Sequence, residues 1–296
     1  MTKYALVTGA GSGIGYELAK AFHRRKYVVL GLGTKHDIPG MNTLKEQIDL
    51  VPIVADVTNV NDIKAAVEDV RSVTGGRLDV LYNNAGVCNV GGPAIELDDD
   101  GLRRLLDVNV LGQMYMTKYM SDFVIAARGS IVFTASVAAR VPLSWTSAYC
   151  ASKAAIDQYA LVLHGEMQPF GVRVHSVITG GVDTAIADSL GSEVRKNKTG
   201  EYPSEHFNVS GMRDSVEAAT NMSRSHRSQS AADYAEDIVG KVESRSSKFN
   251  LYGGYGGYFL HWLRWYAPVW VMEWSIQTWF KQRRVFDEIR AKYAGK

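Results

Sequence analysis

Tyr149-Cys-Ala-Ser-Lys153 is the stretch of this chain best suited to moving a proton. Residues four apart on a helix share a face, so the Lys153 ammonium can lie beside the Tyr149 phenol. A free phenol titrates near about pH 10, too high for ready exchange at neutrality. A neighbouring cation favours the phenolate and lowers that value. The phenol could then give a proton to a ketone oxygen, or the phenolate take one from an alcohol. Tyr-x3-Lys alone is commonplace on solvated helix faces, and its company gives it meaning. Ser136 ends an apolar run 13 residues earlier, with a hydroxyl placed to hold a substrate oxygen. Asn109 falls inside the helical pattern Leu105-Leu-Asp-Val-Asn-Val-Leu, where a buried amide needs hydrogen-bond partners. Taken alone, Asn109 reads as a satisfied core polar group.

A second constellation could hold the co-reactant. Thr8-Gly-Ala-Gly-Ser-Gly-Ile-Gly15 lies between the first apolar run, Tyr4-Ala-Leu-Val, and a helical face of Ile14, Leu18, Ala21 and Phe22. Gly9, Gly13 and Gly15 allow backbone shapes that other residues avoid, and a close ligand approach. Helix N-terminal N–H groups at Ser12, Gly13, Ile14 and Gly15 can receive a pyrophosphate. The spacing differs from the Gly-x-Gly-x-x-Gly of many dehydrogenases, but its place at the first strand-to-helix junction favours a dinucleotide. The second strand should end near Gly33-Thr34. An acidic residue there would take a ribose 2′-hydroxyl. Thr34 and Lys35 stand there instead, a pairing that suits the 2′-phosphate of NADP(H) over NAD(H), with Asp37 close enough to oppose it. Asn83-Asn-Ala-Gly86 ends a further strand, where ligands gather in open α/β sheets. No metal site is read from the sequence.

The elements needed to position these groups are visible as short apolar runs alternating with helical patterns over the first 180 residues. Val28-Val-Leu, Val51-Pro-Ile-Val-Ala, Val80-Leu-Tyr, Ser130-Ile-Val-Phe-Thr and Val172-Arg-Val-His-Ser-Val-Ile read as buried strands. A helix carrying Ile63, Ala66, Val67 and Val70 separates two of them. Near-continuous apolar strands joined by helices predict an α/β fold with a doubly wound parallel sheet. A helix near Ala231–Val242 and a strand near Phe249-Asn-Leu-Tyr should close it. The chain has 296 residues, 46% of them hydrophobic and 22% charged, as in ordinary globular enzymes. A net charge of +2 from 33 basic and 31 acidic residues gives no reason to expect a nucleic-acid partner. Two cysteines, Cys88 and Cys150, suit a reducing compartment, and the first strand begins too early to leave room for a signal peptide.

In order and spacing these motifs resemble the short-chain dehydrogenase/reductase (SDR) family over residues 3 to about 253. The matching residues are Thr8-Gly-x3-Gly-x-Gly15, Asp56-Val57, Asn83-Asn-Ala-Gly86, Asn109, Ser136, Tyr149-x3-Lys153 and Gly180 through Thr184. The resemblance implies a Rossmann-type fold and a nicotinamide cofactor. It implies Ser136 polarising a carbonyl, Tyr149 donating the proton, and Lys153 binding the nicotinamide ribose while lowering the tyrosine pKa. Asn109 would hold a water in a proton relay. Asp56 and Val57 would meet the adenine, Asn83, Ala85 and Gly86 the adenosine side, and Val182 and Thr184 the nicotinamide carboxamide and phosphates. A homodimer or homotetramer is also implied. Where the family carries Pro-Gly, this chain has Thr179-Gly180, which predicts a looser loop. Gly31 and Gly33 are unusual in a second strand.

Two regions fall outside these motifs. Residues 185–230, polar and weakly periodic, predict a substrate loop or lid. Five of the six tryptophans lie between Trp262 and Trp279. Arg264, Pro268 and Glu273 interrupt that stretch, which argues against a membrane-crossing helix. Pro268 is placed to open a helix, and Val269, Met272, Ile276, Trp279, Phe286 and Tyr293 predict a single apolar stripe beyond it. The expected organisation is an SDR domain over 1–253 and an aromatic-rich helical extension over 254–296. The extension resembles that of fungal 1-acyldihydroxyacetone-phosphate reductases, NADPH enzymes of endoplasmic reticulum and lipid droplets. It could pack on the domain or a second subunit, attach to a membrane interface, or cover a lipophilic pocket. The expected activity is hydride transfer between NADP(H) and a ketone or secondary alcohol of a hydrophobic substrate, in the cytoplasm or peripherally on those membranes. The alternative is a cofactor-binding sensor, scaffold or non-redox catalyst.

Overall fold

Seven parallel strands lie in the order β3-β2-β1-β4-β5-β6-β9, flanked by helices on both faces. The computed structural model describes residues 1–184, 186, 205–220, 228–244 and 248–294. The strands are β1 (Lys3–Thr8), β2 (Tyr27–Gly33), β3 (Val51–Val54), β4 (Val80–Asn83), β5 (Ser130–Thr134), β6 (Arg173–Thr179) and β9 (Asn250–Gly253); β7 (Val182–Asp183) and β8 (Gln229–Ser230) pair separately. Side chains alternate across a strand, so Ala5 and Val7 of β1 enter one core while Leu6 enters the other. The first core packs α1 (Gly13–Arg24), α2 (Ile38–Ile48) and α8 (Ala231–Glu243) through Leu18, Phe22, Met41, Leu44, Tyr234 and Ile238. The second packs α3 (Val60–Thr74), α5 (Gln113–Ala127) and α6 (Ser147–Met167) through Ile63, Val70, Met120, Phe123, Ile156 and Ala160.

Every strand read from the sequence is present, and the doubly wound parallel sheet is as expected. Helix α2 was not anticipated: its start, Ile38-Pro39-Gly40, looks like a turn, yet proline is well tolerated in a first helical turn. Gly40 is small there of necessity, since a Cβ would lie 1.9 Å from the Gly11 carbonyl oxygen. The odd glycines of β2 have the same kind of cause. A Cβ on Gly31 would meet Leu50 at 2.9 Å, and one on Gly33 would meet Asp37 at 2.7 Å.

The expected single stripe in the tail is broken. After α9 (Gly257–Tyr266) come α10 (Val269–Trp279) and α11 (Arg283–Tyr293), separated by Phe280–Gln282, where Lys281 takes a φ of +55°. Pro268 caps α10 from outside the helix. Met272, Ile276 and Val285 are buried, whereas Val269 and Trp279 are exposed. The inner face therefore packs on the sheet domain, covering Val141 and Trp145 of the loop after β5. No helix among the described residues is long and apolar enough to cross a membrane. Of the expected 185–230 loop, 205–220 and 228–230 are described and include α7 (Met212–Thr220); 185, 187–204 and 221–227 lie outside the described residues.

One buried histidine makes the sheet sensitive to acid. His175 on β6 is 1% exposed, with Nδ1 2.8 Å from the Lys248 carbonyl oxygen, and burial pushes its pKa down from 6.5 to about 4. The unfolded chain thus binds more protons than the folded one between those values. Stability from a neutral His175 is complete above pH 6.5 and is lost as pH falls towards 4. The loss amounts to about 3 kcal/mol. His175→Asn, which can still donate to Lys248, should remove that part of the slope in urea melts at stepped pH; an unchanged slope would locate the acid sensitivity elsewhere.

Candidate active site

The turn from β1 into α1 is shaped by its glycines. Gly9 and Gly13 have φ of +66° and +53°, a region costly for residues with a Cβ. Gly15 lies against the turn itself, since a Cβ there would be 2.0 Å from the Gly9 carbonyl oxygen. Ser12 precedes the helix in an extended conformation, its side chain makes no cap bond, and the first turn carries no acid. The N–H groups of that turn have no intrahelical partner, so the end of α1 suits an anion. A Cβ on Gly13 would touch Thr184 at 3.7 Å, which brings that predicted phosphate contact to the turn. Ile14 is half-buried against the core of α1.

At the end of β2 the Asp37 carboxylate turns back on its own loop. Its Oδ2 accepts from the Thr34 amide and hydroxyl at 2.8 and 2.9 Å, while Lys35 and His36 are exposed. Thr34 is thus committed to Asp37. Asp56, expected at the adenine, is also engaged. Its carboxylate accepts from the Thr58 amide and hydroxyl at 2.9 and 2.8 Å and pairs with Arg104 at 3.3 Å. Burial pushes this acid up, but those bonds and the Arg104 charge hold it below its ordinary value. Val57 packs against Gly112, where a Cβ would meet it at 2.7 Å. The Asn83 side chain turns into the core, donating to Thr117 at 3.1 Å, so only its backbone can face a ligand.

Asn84, read from the sequence only as part of the Asn83–Gly86 motif, organises the strand ends. Its Nδ2 donates to the Thr8 carbonyl at 3.0 Å and its Oδ1 accepts from Thr134 at 3.2 Å; the Thr8 hydroxyl accepts from the amides of Asn84 and Ala85 at 2.9 Å each. Its position within Asn-Asn-Ala-Gly was the only available signal.

Ser136, Tyr149, Lys153 and Asn109 converge beside these ends. The Ser136 hydroxyl donates to the Thr179 carbonyl at 3.4 Å and accepts from the Ala138 amide at 3.1 Å, and it lies near enough to the Tyr149 phenol to favour the phenolate. Lys153 is 2% exposed, with Nζ 5.6 Å from the Tyr149 ring centre and donating to the Thr134 carbonyl at 2.8 Å. Burial lowers the lysine to about 8 and raises the phenol, with Cys88 adding to the rise and the Ser136 hydroxyl opposing it. The protein by itself thus pushes the phenol the opposite way from the sequence expectation. Desolvation disfavours both charged forms.

Asn109 lies fully buried in the π-helical turn Asp107–Gly112, a distortion frequent at functional sites. Its Oδ1 accepts from the Val87 amide at 2.8 Å, and its Nδ2 donates to the Val87 carbonyl and Ser152 hydroxyl at 2.9 and 3.1 Å. Both side-chain donors are used, so a relay water could rely only on acceptors at this residue. A Cβ on Gly86 would lie 3.3 Å from Asn109 Oδ1 and 3.5 Å from Lys153 Nζ, so glycine keeps that cradle open.

The family model for short chain dehydrogenases matches residues 3–195. The chain belongs to the short-chain dehydrogenase family. It is 34% identical, over 99% of its length and 96% of the relative's, to an NADPH-dependent 1-acyldihydroxyacetone phosphate reductase of Saccharomyces cerevisiae. It is 33% identical to a short-chain dehydrogenase of Pyricularia oryzae, covering 94% of this chain and 95% of that one. Among solved structures, a Streptomyces avermitilis short-chain dehydrogenase superposes with a TM-score of 0.74 at 24% identity, over 96% of this chain and 98% of that chain.

The nicotinamide dinucleotide of this family fits the residues present. Gly9 and Gly13 shape the turn at the start of α1 with φ of +66° and +53°, and Gly86 lies beside the Lys153 amine. The expected looseness at Thr179-Gly180, where the family has Pro-Gly, is not found. Gly180 and Gly181 donate to the carbonyls of Gly253 and Tyr255 at 2.8 and 2.9 Å, and the Thr179 hydroxyl meets Tyr234 at 2.7 Å. Val182 is buried against Gly254, whose Cβ would meet it at 3.0 Å. The first residues of the extension thus brace the loop that in this SDR lacks a proline.

Proposed function

We propose that the chain is an NADP(H)-dependent ketoreductase acting on a hydrophobic carbonyl compound of the acylated-lipid kind. The observation that carries the reading is the convergence of Ser136, Tyr149 and buried Lys153 next to the open Gly86 cradle. Bound NADPH would supply the hydride; Lys153 and the turn Gly9, Ser12, Gly13, Gly15 would hold it, with Thr184 at the phosphates. Ser136 donates a hydrogen bond to the carbonyl oxygen and orients it. Tyr149 gives its phenolic proton to that oxygen. Burial keeps the phenol protonated, the form that reduction requires. The NADP(H) preference is supported by exposed Lys35 and His36, by an Asp37 carboxylate already bonded to Thr34, and by the name of the yeast relative, which also supports the substrate class. In this reading residues 1–253 form the catalytic unit.

The same reading takes the outer face of the 254–296 extension as a peripheral lipid contact. Trp265 and Trp270 are each 69% exposed, and Tyr266, Phe259 and Trp279 are also exposed. From residue 254 onward the chain has seven Lys or Arg against three Asp or Glu, which suits an anionic interface.

The purified chain should oxidise NADPH with acyl-dihydroxyacetone phosphate at a kcat/KM at least roughly tenfold above that with NADH. Steroid and polyketide ketones serve as comparison substrates, and vesicles rich in phosphatidylserine should co-sediment the chain. Preference for NADH, or no oxidation with any of these carbonyls, would refute the reading.

A further inference from the structure

Trp145 stands four residues before Tyr149, on the loop that leads from Ser136 into α6, and is 6% exposed. Its φ is +70°, a region that residues with a Cβ rarely adopt. Its surroundings over-determine that conformation. The indole N–H donates to the Ser215 hydroxyl on α7 at 3.0 Å. The ring stacks on Phe286 of α11, with centres 5.1 Å apart and planes 15° apart, and meets Phe207 edge-on at 6.1 Å. Its carbonyl accepts from the Gly92 amide at 2.8 Å, on the loop that follows Asn84, Ala85 and Gly86. Helix α11 is also tied to residues 205–206, through Lys292 to the Glu205 carbonyl and Tyr293 to His206.

Ligands of doubly wound sheets bind beyond the carboxyl ends of the strands. Trp145 joins two of the loops at those ends, those after β4 and β5, to the segment after β7 and to the last helix of the extension. We propose that Trp145 and Phe286 form a specificity-determining wall, through which α11 sets how much apolar bulk a carbonyl substrate can carry beside Tyr149. Trp145 is a positioning residue in this arrangement, and the proposal rests on the ketoreductase reading.

The test measures kcat and KM of the full chain, its W145A, W145F and F286A variants, on straight-chain methyl ketones of increasing length. Amide hydrogen exchange of residues 283–293 and the NADPH dissociation constant are followed in parallel. W145A and F286A should each change the long-to-short ratio of kcat/KM by roughly tenfold or more, mainly through KM, with NADPH affinity within about twofold of wild type. W145F, which keeps the stack, should restore most of that ratio, and exchange at 283–293 should rise in W145A but not in W145F. F286A lies far from the catalytic helix in sequence and keeps the test valid should W145A fail to fold. An unchanged length preference in F286A, or a fall in kcat alone that is equal for all ketones, overturns the proposal while leaving the reductase reading intact. A wild-type chain that reduces acyl-dihydroxyacetone phosphate but none of the series overturns the proposal alone, and one that reduces neither overturns both.

Discussion

Tyr149→Phe is expected to lower kcat by roughly 10²–10⁴-fold, the range over which a positioned proton donor contributes. NADPH affinity, read by fluorescence titration, should stay within a few-fold of wild type. The substitution removes one oxygen from a half-buried ring and leaves the α6 backbone, the Lys153 amine and its bond to the Thr134 carbonyl in place. The Ser136 hydroxyl keeps the Ala138 amide at 3.1 Å and the Thr179 carbonyl at 3.4 Å. Binding and chemistry should therefore separate. A variant with full turnover would show that the proton comes from another group, and the role given to Tyr149 would fall with it.

Gly15→Ala should damage both folding and cofactor binding. The new methyl would lie 2.0 Å from the Gly9 carbonyl oxygen and 2.7 Å from Asn84 Nδ2. Gly9 cannot readily retreat, because its amide donates to the Leu32 carbonyl at 2.7 Å and its φ is already +66°. Overpacking of this kind costs about 3 kcal/mol, which lowers Tm by roughly 6–12 °C in a chain of this size. The turn must open or α1 must shift, and NADPH affinity should fall by at least roughly 30-fold. Gly165→Ala is the control. Nothing lies within 4 Å of its Cβ position on the exposed side of α6, and replacing a helical glycine there should add about 1 kcal/mol. Scanning calorimetry and NADPH titration of both variants check the pair; a Gly15→Ala protein that melts and binds like wild type would mean the turn does not cradle the phosphates.

The groups legible in the sequence were those whose chemistry depends on short spacing. Tyr149 and Lys153 share a helical face wherever a helix forms, and the glycine turn lies between the first strand and first helix whatever the rest of the chain does. Position in a motif did not reveal what each side chain touches. Asp56 read as a candidate to meet the adenine and Asp37 as a carboxylate opposing a 2′-phosphate, yet folding commits each to a threonine at its own loop and Asp56 also to Arg104. Asn83 and Asn84 are adjacent and chemically identical, but alternation along β4 sends one into the α5 core and the other to the strand ends.

The proton chemistry shows the same division. Spacing alone predicted a phenol lowered by its lysine. Burial, a property of the assembled molecule, raises the phenol and lowers the lysine.

By itself, then, the sequence determined the sheet architecture, the glycine turn after the first strand and the pairing of Tyr149 with Lys153 that we propose moves the proton, because apolar periodicity and i,i+4 spacing act within one or two elements. Tertiary structure alone decided that the aromatic extension breaks at Lys281, braces the Gly180 loop and reaches Trp145 through Phe286. Those contacts join residues far apart in the chain, and packing between distant segments leaves no local period to read.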